Sequence, residues 1–237
     1  MSDSLFQKAQ HIAQQASIKN NLVRLPGFSF GYLRYRIARP ILKFNYRSAL
    51  KKIPSAPWMS IAAINIFDAI LNKEMKGFEF GSGGSTIFFS KRAGHLVSLE
   101  HDVAWHTQII KRFEDLQVKN VDYHLVEKEN DSNKPSLIGK RNDDYTVPFT
   151  PATCYVNYYS FIDRYEKESF DFIIVDGRAR VECAEHAIPK LKKGGILILD
   201  NSERLRYKPV HDTLKSWKKV FTTNGLTDTT FWFKPEA

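Results

Sequence analysis

The chain has few cysteines and no long apolar run. Cys154 and Cys183 are its only thiols, too few for a disulfide framework and not spaced as a zinc knuckle or redox pair. A reducing, intracellular and hence cytoplasmic setting is expected. No stretch approaches the roughly 18 apolar residues of a membrane span, so no spanning helix is expected. The opening MSDSLFQKAQ lacks the basic-then-apolar order of a secretory leader. No Gly-Lys-Ser/Thr follows the glycine cluster at 81–84, so a Walker-type phosphate site is excluded. Acidic residues are scarce in the first third, where residues 1–75 hold 3 Asp/Glu against 11 Lys/Arg.

The remainder is ordinary in composition, and 237 residues can bury a sizeable core. Its charge is divided unevenly: residues 1–75 carry +8, residues 76–237 only +1. Arg34, Arg36, Arg39, Lys43, Arg47, Lys51 and Lys52 form one run, interleaved with Tyr32, Tyr35, Ile37, Ile41, Leu42, Phe44, Tyr46 and Leu50. Cations with interleaved aromatics suit a surface facing anionic lipid, an acidic substrate, or a nucleic acid. They suit equally a solvated face on helices that cover a domain. Nucleic acid ranks last, and peripheral contact at an inner membrane surface ranks ahead of it. Pro40 interrupts the run and predicts two short helices at most.

Along the chain, 4–17 reads as a peripheral helix, Leu25-Pro26-Gly27 as a break, and 62–71 as a helix with Ile64, Phe67 and Leu71 on one face. From 76 onward, strands alternate with helices. Strands are expected at 76–80, 95–99, 121–126, 170–175, 195–199 and 229–233. Helices are expected at 86–93, 102–115, 155–165, 180–192 and 209–219, with a long polar loop at 129–153. Phe170–Val175 is nearly all apolar, as a central parallel strand should be. The pattern predicts an α/β domain, a mostly parallel Rossmann-like sheet flanked by helices, over 58–237. A basic helical extension over 1–57 precedes it. Ligands of such sheets bind at the carboxyl ends of the strands.

Two of those ends carry chemistry. Phe78–Phe80 leads into Gly81-Ser82-Gly83-Gly84-Ser85-Thr86, a strand, a glycine turn and a helix start. The next strand ends in Glu100, 19 residues past Gly81, where a carboxylate can accept both hydrogen bonds of a ribose diol. Thr86 stands where a dinucleotide fingerprint has its third glycine, which disfavours a pyrophosphate. A nucleoside cofactor without a diphosphate follows.

Glu79–Ser85, Glu100, Phe170–Gly177 and Gly194–Asn201, in this spaced order, resemble the core of class I S-adenosylmethionine-dependent methyltransferases over about residues 58–202. The resemblance implies S-adenosyl-L-methionine as cofactor. Glu79, Gly81, Ser82, Gly83 and Ser85 would lie by its methionine portion, Glu100 at its ribose and Glu127 by its adenine. Ser60 would lie near its carboxylate, and Asp176 would also contact the cofactor.

Asp176, Asp200 and Asn201 end neighbouring strands and offer hard oxygen ligands suited to Mg²⁺. This resembles the metal site of catechol and caffeoyl-CoA O-methyltransferases, with one departure. Those enzymes carry a lysine three residues after the first aspartate, and here Ala179 stands between Arg178 and Arg180. Arginine stays protonated and binds anions instead of serving as a base. The expected catalytic residues are therefore Asp176, Arg178 and Asp200. The expected activity is O-methylation of a hydroxylated, anionic or glycan-type acceptor, the alternative being an inactive module that binds a membrane or polyanion. His101 is read as packing on adenine or solvated, and Cys183 and His186 as packing residues. Tyr207 is a pocket or core residue. Folded back over the strand ends, the extension would bring Tyr32, Tyr35 and the arginines to the pocket mouth, beside Arg178 and the 129–153 loop.

Overall fold

The computed structural model describes residues 2–17, 29–129 and 152–236. The break at Leu25–Gly27 and residues 130–151 of the expected polar loop lie outside them.

The chain begins with helices α1 (Ser2–Ala16), α2 (Phe30–Leu50) and α3 (Ile61–Ile70). It continues as β1 (Lys76–Phe80), α4 (Gly84–Ser90), β2 (His95–Glu100), α5 (Val103–Asp115) and β3 (Val121–Leu125). From residue 152 onward come α6 (Val156–Tyr159), β4 (Phe170–Val175), α7 (Arg180–Ala187), β5 (Leu191–Asp200), α8 (Lys208–Thr213), β6 (Lys218–Thr223) and β7 (Asp228–Phe233). The seven strands form one sheet in the order β3-β2-β1-β4-β5-β7-β6. Pairings from β3 to β5 are parallel, and β7 runs antiparallel to both β5 and β6. Strand order reverses between β1 and β4, which opens a crevice at their carboxyl ends.

Both faces of the sheet are covered, which is why β4 is apolar on both sides from Phe172 to Val175. Ile173 and Val175 of β4 join Phe78, Phe80, Tyr158 and Trp232 on one face. Phe172 and Ile174 join Phe67, Phe88, Phe89 and Phe231 on the other.

Three expectations are corrected. The basic segment is one helix, α2, with Pro40 inside it. Ser29 caps its start by accepting from Tyr32 N at 3.1 Å. Proline removes one ladder hydrogen bond, and the turns on either side carry the helix through. The expected helix 209–219 stops at Thr213, and Lys218–Thr223 is instead β6, zipped onto β7 with Val220 and Thr222 buried and Lys219 and Phe221 exposed. The helices at 155–165 and 180–192 are shorter: α6 passes into a 3₁₀ turn at Ser160–Arg164, α7 into one at Ile188–Lys190, and β5 already starts at Leu191.

The first 57 residues divide in two. α1 joins the core, with Ala9 and Ala13 buried and Phe6 edge-on to Phe233 at 5.5 Å. In α2 only Tyr35 is fully buried.

Candidate functional site

The tips of β1, β2 and β4 enclose a cavity of about 460 Å³, within the usual range of roughly 300–1,000 Å³ for cofactor sites. Of the expected site residues, Gly81, Ser82, Glu100, His101, Asp176 and Arg178 line it. Trp105, Gln108 and Arg180 also stand in its wall.

The floor depends on two glycines. Gly81 has φ +95°, and a Cβ there would meet Gly177 Cα at 2.6 Å; a Cβ on Gly177 would meet the Tyr158 hydroxyl at 2.1 Å. The backbones at the switch point therefore touch without side chains between them. Above them, Ser82 donates to Glu100 Oε2 at 2.8 Å, and its carbonyl accepts from Trp105 Nε1 at 3.0 Å. The turn is thus tied to β2 and α5.

Glu100 is held as an anion. Its Oε1 accepts from the backbone N–H groups of His101 (2.7 Å) and Asp102 (2.9 Å). Burial pushes its pKa up, but the hydrogen bonds from His101, Asp102 and Ser82 outweigh that and hold it below the ordinary carboxylate range. His101 receives a hydrogen bond from Arg178 Nε at its Nε2 (3.2 Å), and its Nδ1 lies 2.8 Å from Glu100 Oε1. The His101 ring also packs edge-on to Tyr155 and Tyr158.

The tip of β4 turns through Ala179, whose left-handed φ of +46° is uncommon for a residue with a Cβ. Just beyond it, Arg180 is buried and binds four oxygens. Its Nη2 donates to Asp176 Oδ1 (2.8 Å) and to the Asp176 carbonyl (2.6 Å), Nε donates to the Gly177 carbonyl (3.0 Å), and Nη1 donates to the Asp200 carbonyl. Asp200 hydrogen-bonds Asp176, and its Oδ1 accepts from Thr229 Oγ1 at 2.7 Å. Burial, and after it the charge of Asp176, push Asp200 well above the carboxylate range. Asp176 is pushed up by burial against the pull of Arg180. Burial thus disfavours the charged form of both carboxyls, and Arg180 offsets this at Asp176.

The other expected site residues are placed elsewhere. Glu79 lies fully buried beneath the glycine turn, accepting from Ser85 (2.6 Å), Thr86 (2.7 Å) and Ser98 (2.6 Å), so it and Ser85 anchor the start of α4. Gly83 N donates to Thr86 Oγ1 at 3.0 Å and belongs to the same anchor. Ser60 caps α3, accepting from Ala63 N (3.1 Å) and donating to Thr222 Oγ1 (2.8 Å), away from the cavity. Glu127 follows β3 with its side chain exposed and does not line the cavity. Asn201, at φ +52°, donates its amide to Thr227. Tyr207 is a core residue packed under Arg180, Cys183 is buried, and His186 pairs with Asp163 at the surface.

From the extension, neither Tyr32 nor Tyr35 lines the cavity. Tyr46, at the far end of α2, instead comes within electrostatic reach of Asp200 and Asp176. Its hydroxyl is buried with no hydrogen-bond partner, and burial and those two carboxylates raise its pKa well above that of a free tyrosine. A tyrosine in an otherwise basic run carries no sequence signal for this role.

The Mg²⁺ expected at Asp176, Asp200 and Asn201 does not fit these side chains. The guanidinium of Arg180 already sits on the Asp176 carboxylate, Asp200 is bound to Thr229 and Asp176, and Asn201 is turned to Thr227. No group of three or more His, Cys, Asp or Glu is arranged for a metal among the described residues.

No protein-family model matches the chain, and no curated protein matches it. Solved structures do match. A methyltransferase-like protein from Silicibacter pomeroyi is 23% identical, with 77% of this chain and 89% of that one covered and a TM-score of 0.54. An rRNA methylase from Streptococcus thermophilus is 13% identical, over 73% and 94%, at 0.50. A precorrin 8W decarboxylase from Methanobacterium thermoautotrophicum is 12% identical, over 76% and 91%, also at 0.50. A fold shared this widely does not set the reaction. Strand order and likeness together give the chain a Rossmann-like fold, shared with solved structures that include a methyltransferase-like protein and an rRNA methylase.

Proposed function

We propose that the protein is an S-adenosylmethionine-dependent methyltransferase that methylates a hydroxyl oxygen on a small-molecule or glycan acceptor bearing an anionic group. The observation that carries the reading is Glu100, a carboxylate held ionised on the wall of a cavity floored by the Gly81 turn. It suits the two hydroxyls of a ribose. Such a cofactor supplies a methyl group already activated on a sulfonium, so alignment of the acceptor provides much of the rate.

The residues around Asp176 then have distinct tasks. Asp176 reaches the cavity and takes the proton of the acceptor hydroxyl as its oxygen gains the methyl group. Arg180 holds that carboxylate in position with a charge that does not titrate. Arg178 is exposed at the rim and suits a carboxylate, sulfate or phosphate on the acceptor. No step needs a divalent ion, so saturating EDTA should leave turnover unchanged.

Calorimetry with S-adenosylhomocysteine should show saturable binding. Glu100→Gln should weaken it about 10- to 100-fold, the loss of charge-assisted hydrogen bonds to the ribose. Binding of NADH in place of S-adenosylhomocysteine would refute the reading. Binding of neither would favour an inactive module of the same fold.

A further inference from the structure

Among the described residues, no other helix has two faces as unlike as those of α2. Phe30, Leu33, Ile37, Ile41 and Phe44 are 55–75% exposed. At 3.6 residues per turn they fall within an arc of about 80°. Tyr35 and Tyr46, the residues turned toward the protein, lie on the opposite side of the helix. Cations flank the apolar arc on both sides: Arg34, stacked toward Phe30 at 6.0 Å, on one, and Lys43 and Arg47 on the other, all exposed. The 21 residues hold five cations and no carboxylate. Large apolar side chains exposed singly are common, but five in one stripe are not.

We propose that α2 lies flat on an anionic lipid surface, with the Phe30–Phe44 stripe in the apolar layer and Arg34, Lys43 and Arg47 among the headgroups. An apolar stripe bounded by cations is the form of an interfacial helix, whose long basic side chains reach back to the phosphates. No helix among the described residues is long and apolar enough to cross a membrane, so the contact is with the surface. A second copy of the chain fits poorly, because stripe-to-stripe packing would crowd ten cations with no carboxylate on either helix. The rest of the chain points the same way, since the excess of +8 is confined to residues 1–75. One consequence rests on the proposed methyltransferase reading. α2 touches lipid with one face and brings Tyr46 toward Asp176 and Asp200 with the other, so an acceptor anchored in that surface would meet the site without leaving it.

The test is flotation of the full-length protein with vesicles of phosphatidylcholine alone or with about one third phosphatidylglycerol. Binding to the anionic vesicles, falling as salt rises, is expected. Arg34→Gln/Lys43→Gln/Arg47→Gln should weaken it about a hundredfold, at about fivefold per cation. Phe30→Ser/Ile37→Ser/Phe44→Ser should weaken it at least as much, each side chain contributing about tenfold or more. These residues are exposed, so both variants should keep the wild-type Tm and S-adenosylhomocysteine binding, which separates failure of this proposal from failure of the enzymatic one. Equal binding to neutral and anionic vesicles overturns the proposal. So does a dimer in sedimentation that the serine variant dissociates without any vesicle binding, which would assign the stripe to a second copy. A monomer that binds neither vesicle also overturns it and leaves the stripe to a protein partner.

Discussion

Replacing Glu79 by glutamine tests whether the glycine turn is anchored by a strained carboxylate. Glu79 has no exposed surface, and burial raises its pKa from 4.5 to about 7 even though Ser85, Ser98 and Thr86 all donate to it. That displacement corresponds to about 3 kcal/mol between its two protonation states. The sign follows from proton binding. Between pH 4.5 and about 7 the native protein keeps a proton that the unfolded chain has lost, so the stability contributed by this group falls as pH rises through the window and levels off above it. Glutamine does not titrate. The difference in unfolding free energy between wild type and Glu79→Gln should therefore change by about 3 kcal/mol in favour of the variant between pH 4.5 and about 7.5. Urea denaturation at closely spaced pH values measures it, with an unchanged m-value showing that the unfolded state is comparable. A difference that stays constant within about 0.5 kcal/mol across the window would refute the argument.

Arg180→Ala should lower stability by about 3–5 kcal/mol, because it strands Asp176 and three carbonyls without their donor, whereas Arg178→Ala at the exposed rim should stay within about 0.5 kcal/mol. Denaturant melts of both decide, and equal losses would contradict the geometry. Gly177→Ala should cost about 1–3 kcal/mol through collision with the Tyr158 hydroxyl. Adding Tyr158→Phe should recover part of that loss, since the hydroxyl has no hydrogen-bond partner, and a thermal-melt double-mutant cycle reads the coupling.

Much of this site could be read before the structure. A turn needing φ +95° has to be glycine, a strand buried on both faces has to be apolar, and a carboxylate at the tip of the next strand then falls in a fixed place. What was missed depended on contacts distant in sequence. Ser60 looks available beside a helix start, but Thr222, from a strand 162 positions later, takes its hydroxyl. Glu79 reads as a ligand until three hydroxyls from α4 and β2 close over it. The expected metal ligands are linked to Arg180, Thr229 and Thr227, none of which spacing alone couples to them. β6 did have a local signal: Asn224-Gly225 between two runs is a hairpin turn, with Gly225 at φ +79°. The helical reading of 209–219 took in only Lys218 and Lys219 of β6 and stopped short of that turn.

The seat of α1 bears on how the molecule is made. Part of that seat is α3, with Lys8 donating to the Ala69 carbonyl, and this part follows within some 70 residues. The rest lies on β6 and β7, where Asp3 pairs with Lys218 at 2.6 Å and Phe6 rests on Phe233. A ribosome adding about 5–20 residues per second releases Lys218 only 215 residues after Asp3. Helix α1 therefore waits for the β6–β7 hairpin, with Phe6 uncovered meanwhile, and these long-range contacts raise the contact order and slow folding. Shortening the chain at its carboxyl end by one strand would remove part of the support for its amino end.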